Sequence, residues 1–181
     1  MENQTTGGTA EVSAAKSFVV TEDLHATAGQ RFVNYLIDLV MVYAIIFALG
    51  VLLGLLAVLL DNMAIVDWFT DSNTLKDYLI LFSIWIPYYT LFEKLSSRTV
   101  GKFVTKTMVV NEDGSPISFE TAFKRTLCRI IPFEAFSFFG SGARGWHDSI
   151  PDTYVVQKEA FLQKRNLFYD FEQIGSQLEE A

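Results

Sequence analysis

Residues 31–60 read RFVNYLIDLVMVYAIIFALGVLLGLLAVLL, and this stretch decides the fold. Its last 22 residues, 39–60, carry no charged side chain. Because a helix rises about 1.5 Å per residue, this run measures about 33 Å, enough to cross a hydrocarbon core of about 30 Å. The stretch therefore predicts a first transmembrane helix over residues 31–60.

The start of this helix carries a polar stripe. Arg31, Asn34 and Asp38 lie at positions i, i+3 and i+7, which places them on one helical face. Two interpretations are open: Arg31 extends to the lipid headgroups while Asp38 stays hydrated, or the stripe faces a partner helix or a polar cavity. Since Arg31 and Asp38 are about 10 Å apart along the axis, we expect Asn34, water or a neighbouring subunit to bridge them.

A second, less apolar segment predicts a second transmembrane helix over residues 75–95. It has 21 residues and a length of about 31 Å, and its aromatic residues Trp85, Tyr88 and Tyr89 suit a membrane interface. A capping box at residues 74–77 marks its start. The residues between the two spans, 61–77, form an acidic connection that we predict to be a loop.

The basic residues set the predicted topology. Seven of the 14 Lys and Arg residues lie between the end of the second span and residue 130, at Lys94, Arg98, Lys102, Lys106, Lys124, Arg125 and Arg129. Cytoplasmic loops are enriched in Lys and Arg, so this side should be cytoplasmic, and two crossings then put both termini there. We predict a multi-pass protein of the cell membrane, with a flexible tail at 1–26, a membrane domain at 27–157 and a second tail at 158–181.

Composition argues against several kinds of site. A net charge of −7 disfavours a nucleic-acid binder. Cys128 is the single cysteine, so no internal disulfide can form, and with only His25 and His147 beside it a Cys/His metal cluster cannot be assembled. We therefore expect no metal, no cofactor, no catalytic residues and no enzymatic activity.

The second half of the sequence predicts a small cytoplasmic domain. Residues 105–110 and 153–156 are rich in β-branched residues and should pair as a two-stranded sheet. Between them, Ser118 is a suitable N-cap for a basic amphipathic helix over 119–131, which would suit an anionic membrane surface. The apolar residues 130–139 that follow are too short to cross and should be interfacial or re-entrant. A short strand is also predicted at residues 17–20.

Four segments of the sequence resemble the RDD family of membrane proteins. They read RTVGK at 98–102, TMVVNEDG at 107–114, RGWHD at 144–148 and DTYVV at 152–156. The family is named for one arginine and two aspartates, which match Arg31, Asp38 and Asp148, and the motif residues Gly101, Lys102, Trp146 and His147 are carried over with them. The resemblance covers about residues 27–157. It implies a cell-membrane location, for which we expect the inner membrane of a prokaryote, and ion or ligand transport has been proposed for the family.

Two apparent motifs, one for nucleotide binding and one for hydrolysis, are not supported by their sequence context. Residues 140–145, GSGARG, fit GxGxxG, but they follow an amphipathic helix rather than a buried strand, so a nucleotide site is not expected. His147 and Asp148 are adjacent in sequence and cannot easily form the hydrogen bond of a hydrolase triad. We expect Asp148 to order its loop by accepting backbone amides or an arginine, and a functional charge there stays open.

Two functions are compatible with the sequence. The first is a component of ion or small-solute transport in which Arg31, Asn34 and Asp38 line a polar path. Because two helices cannot enclose a pore, this requires a homo-oligomer or a membrane partner protein. The second is a non-transporting adaptor, in which the stripe fixes helix pairing and the basic surface recruits lipids or proteins. In both cases the first partner is the lipid bilayer.

Overall fold

A computed structural model describes residues 17–71, 73–139 and 144–179 of the chain. This part of the chain is mostly helical, with one two-stranded sheet. The helices are α1 (Ala28–Leu59), α2 (Ala64–Thr70), α3 (Thr74–Ser96), α4 (Val100–Val104), α5 (Phe119–Cys128), α6 (Trp146–Ser149) and α7 (Lys158–Glu179), and the strands are β1 (Thr107–Asn111) and β2 (Thr153–Gln157).

The long apolar helix predicted over 31–60 is confirmed as α1. It starts three residues earlier, because Thr27 and Gln30 form a capping box: the Thr27 hydroxyl accepts from the Gln30 amide at 3.2 Å, and the Gln30 side chain accepts from the Thr27 amide at 2.9 Å. Within the described residues, α1 is the one helix long and apolar enough to cross a membrane. Its most apolar window has a mean hydropathy of 2.8 and is only 6% buried, so most of its surface is free to contact lipid.

The predicted second span, residues 75–95, corresponds to α3. This helix has 23 residues and a length of about 34 Å, but it is less apolar than α1, so its crossing stays a prediction. Its N-cap is Asn73, whose side chain accepts from the amides of Leu75 and Lys76, and not the predicted Thr74. The predicted loop at 61–77 is also corrected, because it contains α2.

The predicted two-stranded sheet is confirmed. β1 and β2 pair antiparallel, with Val109 opposite Val155. One face carries Val110 and Val156, against which Phe18, Val20, Leu24 and Phe161 pack. The other face carries Val109 and Val155 and packs on Ala26, Ile117 and Ala122.

The segment before α1 is part of this packed core. The strand predicted at residues 17–20 is not formed, although the Val20 amide donates to the Glu112 carbonyl at 2.9 Å. Of the predicted flexible tail, residues 1–16 lie outside the described residues, whereas 17–26 contribute four buried side chains to the sheet. The packed unit therefore begins before the predicted boundary at residue 27.

Helix α5 presents the opposite face to the one predicted. The Arg125 side chain is fully buried and that of Arg129 is only 9% exposed, so the two arginines face the interior instead of an anionic surface. Phe119, Phe123 and Leu127, spaced four residues apart, are exposed. The apolar side of α5 thus faces outward, as expected for a helix bathed in lipid rather than in water.

The apolar segment at 130–139 ends in a six-residue 3-10 helix, Glu134–Phe139. Such a helix rises about 2 Å per residue and is only about 12 Å long, well short of a membrane crossing. Most of the glycine-rich motif that follows, residues 140–143, lies outside the described residues. At the C-terminus, the tail predicted at 158–181 contains α7, which packs on the sheet through Phe161.

Close contact between α1 and α4 requires the glycine at position 101. A Cβ atom placed there would lie 2.4 Å from the Asn34 carbonyl oxygen, a backbone atom that cannot rotate away. The short helix α4 can therefore cross α1 at the polar stripe only because Gly101 has no side chain.

We predict that Gly101→Ala destabilises the protein by about 1–3 kcal/mol, because the added methyl group forces two backbones apart. Thermal unfolding of the purified protein in detergent measures the loss. Gly175→Ala is the matched control, since a Cβ at this position of α7 meets nothing within 4 Å. An unfolding temperature for Gly101→Ala equal to that of Gly175→Ala would contradict this packing.

Candidate functional site

The centre of the fold holds a cluster of ionisable side chains contributed by α1, α3, α4, α5, α6 and the 3-10 helix that begins at Glu134. We call it the ion cluster, and its members are Arg31, Asp38, Glu93, Lys102, Arg125, Arg129, Glu134, His147 and Asp148. It contains four carboxylates and four cations besides the histidine. Their charges balance when His147 is neutral.

Glu93 on α3 is one centre of the ion cluster. Its fully buried carboxylate accepts from Lys102 Nζ at 2.9 Å, from Arg125 Nε at 2.8 Å and from Arg129 Nη2 at 2.7 Å. Burying a carboxylate without partners is very costly, and three cations offset that cost here. Glu93 therefore joins α3 to α4 and to both turns of α5 that carry an arginine.

Asp148 on α6 is the second centre. Its Oδ2 accepts from Arg31 Nη1 and its Oδ1 from Arg125 Nη1, so α1, α5 and α6 meet on one carboxylate. Burial acts to raise the pKa of Asp148, but His147 when protonated and the guanidinium groups of Arg125 and Arg31 outweigh it and lower the pKa below its ordinary value. The prediction that Asp148 accepts from an arginine is confirmed, and two arginines, Arg31 and Arg125, donate to it.

Asp38 is held by neutral donors. Its carboxylate accepts from the Tyr88 hydroxyl at 2.7 Å, from the Thr99 hydroxyl at 2.5 Å and from the Gly101 amide at 2.8 Å. The predicted bridge from Arg31 to Asp38 through Asn34 is not formed, since Arg31 pairs with Asp148 and Asn34 contacts Thr107. Asp38 fixes the start of α4 against α1 and α3.

The remaining predicted residues divide between the cluster and the surface. Asn34 lies in the α1 stripe, where its amide is 3.1 Å from the Thr107 hydroxyl and also contacts Thr105, at the start of the sheet. Lys102 belongs to the ion cluster, and Gly101 contacts it by donating its amide to Asp38. Trp146 does not, because its side chain is about half exposed.

His147 links the two ends of the cluster. Its Nδ1 hydrogen-bonds Glu134, and its Nε2 lies 3.5 Å from Asp148 Oδ1. Burial, with a contribution from Arg129, lowers the pKa of His147 despite the two nearby carboxylates. The imidazole is therefore neutral near pH 7, which keeps the cluster balanced.

The sequence analysis did not identify Glu93, Arg125, Arg129 or Glu134 as site residues. One signal was available: Arg125 and Arg129 are spaced i, i+4 on α5, where like charges repel unless an anion lies between them. The identity of that anion, Glu93, could not be read from local sequence because it lies on another helix.

A cavity of about 340 Å³ adjoins the ion cluster, between α1, α3 and residues 129–136. Its polar end is formed by Arg31, Asn34, Asp38, Lys102, Arg129, Glu134 and His147. Its apolar walls include Leu39, Val42, Leu81, Trp85, Ile130 and Phe136. The polar stripe predicted on α1 thus lines a cavity.

The sequence profile of the RDD family matches residues 25–150, which is more than half of the chain. The chain belongs to the RDD family. The matched region starts just before α1 and ends after Asp148, close to the predicted extent of 27–157, and it contains the whole ion cluster. No curated protein and no solved structure is similar enough to match this chain.

The arginine and two aspartates of this RDD domain have different tasks in the structure. Arg31 and Asp148 form an ion pair across 117 residues of sequence, which closes the domain from its first helix to its last motif. Asp38 takes no part in that pair and orders α4. Described residues contain no group of three or more Asp, Glu, His or Cys placed to hold a metal ion.

We predict that Glu93→Gln destabilises the RDD domain by about 3–5 kcal/mol, because it leaves three buried cations without their shared anion. Thermal unfolding in detergent measures this. The control is Glu120→Gln, whose exposed carboxylate pairs with Lys124, and which should cost under about 1 kcal/mol. Equal effects of the two substitutions would contradict the role of Glu93.

Stability should also fall as pH is lowered from 7.5 to 5.5. Burial lowers the pKa of both His25 and His147 in the folded state below about 6.5, so the unfolded chain takes up protons first and protonation favours unfolding. The contribution of these two histidines to stability is fully present above about pH 6.5 and is lost as the pH falls below it. The double variant His25→Gln/His147→Gln should lose most of this pH dependence, and a native protein equally stable at both pH values would contradict it.

Proposed function

We propose that this RDD protein is a component of ion or small-solute transport in a cell membrane, and that the cavity beside the ion cluster is its solute site. One observation supports this most directly. The polar stripe of the candidate span, Arg31, Asn34 and Asp38, lines the cavity at its polar end. Ionisable residues are costly within a membrane and are typical of solute and proton paths.

The proposal requires more than one copy of the chain or a partner protein. α1 and α3 alone cannot enclose a pore. α1 leaves room for another helix, because nothing lies within 4 Å of a Cβ placed at Gly50 or Gly54. Their GxxxG spacing allows two helices to approach closely, so we propose that this face pairs with a second copy.

The proposed topology has α1 and α3 crossing the membrane and both termini in the cytoplasm. The excess of basic residues after α3 supports this orientation. The outward apolar face of α5, at Phe119, Phe123 and Leu127, then contacts the interface between lipid and water. The ion cluster lies at the cytoplasmic end of both spans, in a position to receive a solute from that side.

A non-transporting adaptor is the second candidate, and α7 favours it. Beyond its first turns, this helix exposes Leu167, Phe171, Ile174 and Leu178, each more than half exposed and spaced by four, three and four residues. That spacing forms an apolar seam of the kind that pairs with another helix. Under this alternative, the ion cluster serves only to hold the domain together.

Asp38→Asn distinguishes the two candidates. The asparagine oxygen can keep the bonds from Tyr88 and Gly101, which share Oδ1, while its amide donates to the Thr99 hydroxyl in place of the reverse bond. The fold should therefore survive, but a path that uses the carboxylate charge should lose at least about tenfold in flux, equivalent to about 1.4 kcal/mol.

Ion-dependent pH changes in proteoliposomes measure that flux for native protein, Asp38→Asn and the control Asp67→Asn on exposed α2. Oligomer size is determined on the same samples by native mass measurement. Equal flux from the native protein and Asp38→Asn would remove Asp38 from a transport mechanism. A strict monomer, or native protein without flux, would support the adaptor instead.

A further inference from the structure

We infer that the cavity binds an amphiphile with one hydrocarbon chain and a compact anionic head, such as a fatty-acid carboxylate, with Arg129 contacting the head. This inference rests on the proposed function, because it takes the cavity as the solute site and names the class of ligand. It has three supports: the charge of the polar end, an unused donor on Arg129 and the shape of the apolar end.

The polar end of the cavity is lined by more cationic than anionic side chains. Three cations, Arg31, Lys102 and Arg129, line it with only two carboxylates, Asp38 and Glu134. Both carboxylates are already engaged, Asp38 by its three neutral donors and Glu134 by His147. The three cations are paired with Glu93 and Asp148, which do not line the cavity, so a ligand at this end meets more cationic than anionic side chains.

Arg129 supplies the donor for that charge. Its Nη2 binds Glu93 at 2.7 Å and its guanidinium lies over the Tyr89 ring at 4.5 Å from the centroid. Its Nη1 is buried but has no hydrogen-bond partner among the residues that the structure describes. Since buried donors are almost always paired, an acceptor from a ligand is the natural partner for an Arg129 that is 91% buried at the cavity wall.

The apolar end fits a hydrocarbon chain. Leu39, Val42, Leu81 and Trp85 line it, and Tyr43, Phe133 and Phe136 are each more than half exposed on the outer surface beside α1. The cavity thus opens on the lipid-facing side, where an amphiphile can enter with its tail in the bilayer. At about 340 Å³ it is at the small end of ligand pockets, which favours one chain over two.

Trp85 provides a direct readout, because it lines the cavity while Trp68 and Trp146 do not. The full chain is placed in phosphatidylcholine nanodiscs and titrated with 9,10-dibromostearate, whose bromines quench nearby tryptophan. We expect saturable quenching that is lost in Trp85→Phe. The alcohol with the same brominated chain should need at least about tenfold more probe, since it lacks the charge. Equal quenching by acid and alcohol, or no saturable quenching, would overturn the inference.

Arg129→Lys tests the head contact. It keeps a positive charge for Glu93 but removes the guanidinium that carries the unused donor, so binding of the acid should weaken at least about tenfold. The matched control is Arg144→Lys, whose Nε is also buried without a partner in the described residues but which does not line the cavity. Unchanged binding in Arg129→Lys would overturn the assignment of Arg129.

If Arg129→Lys does not fold, Leu81→Phe provides the second test. It fills the apolar end without touching the ion cluster and should abolish saturable quenching, and retained quenching would overturn the inference. The two proposals can fail independently, because binding tests the amphiphile and flux tests transport. A native protein that binds the acid saturably but shows no flux would refute transport alone, whereas flux without saturable binding would refute the amphiphile alone.

Discussion

The fold depends on neutralising carboxylates that are completely buried. Glu93 and Asp148 have no contact with solvent, and each is stable only because arginines from other elements reach it. Arg125 binds both of them, so a single guanidinium links the two centres. Removing Glu93, Arg125 or Asp148 leaves an unpaired charge in a poorly solvated interior, which makes the ion cluster cooperative and ties α1, α3, α5 and α6 into one unit.

This constraint explains the unusual distribution of polarity. Charged residues occupy the centre, and apolar residues of α1 and α5 lie outside, the reverse of a domain in water. In lipid an apolar exterior costs nothing, and polar groups must find partners inside. The β-sheet, with its valine faces and the packed residues 17–26, follows the ordinary pattern of a core in water. The described part of the RDD domain therefore combines an apolar exterior around α1 with an ordinary apolar core around the sheet.

Local patterns in the sequence predicted the elements well. The uncharged run at 39–60 identified α1, and β-branched residues identified both strands. Their pairing was predicted too and is confirmed. The α1 stripe was recognised from its spacing, but not its partners. Arg31 pairs with Asp148 across 117 positions, and nothing local in either segment encodes that contact. Arg125 and Arg129 were interpreted as topology signals and as part of a basic surface for anionic lipid, because a basic residue after a span has the same sequence appearance whether it faces water or a buried glutamate.

A double-mutant cycle between Arg31 and Asp148 tests the central claim, that buried charges of distant segments stabilise each other. Arg31→Met, Asp148→Asn and the double variant are unfolded thermally in detergent beside the native protein. The ion pair predicts that the double variant loses less stability than the two single variants together, by about 0.5–3 kcal/mol. Additive losses would show that the two side chains act independently, and would contradict the account.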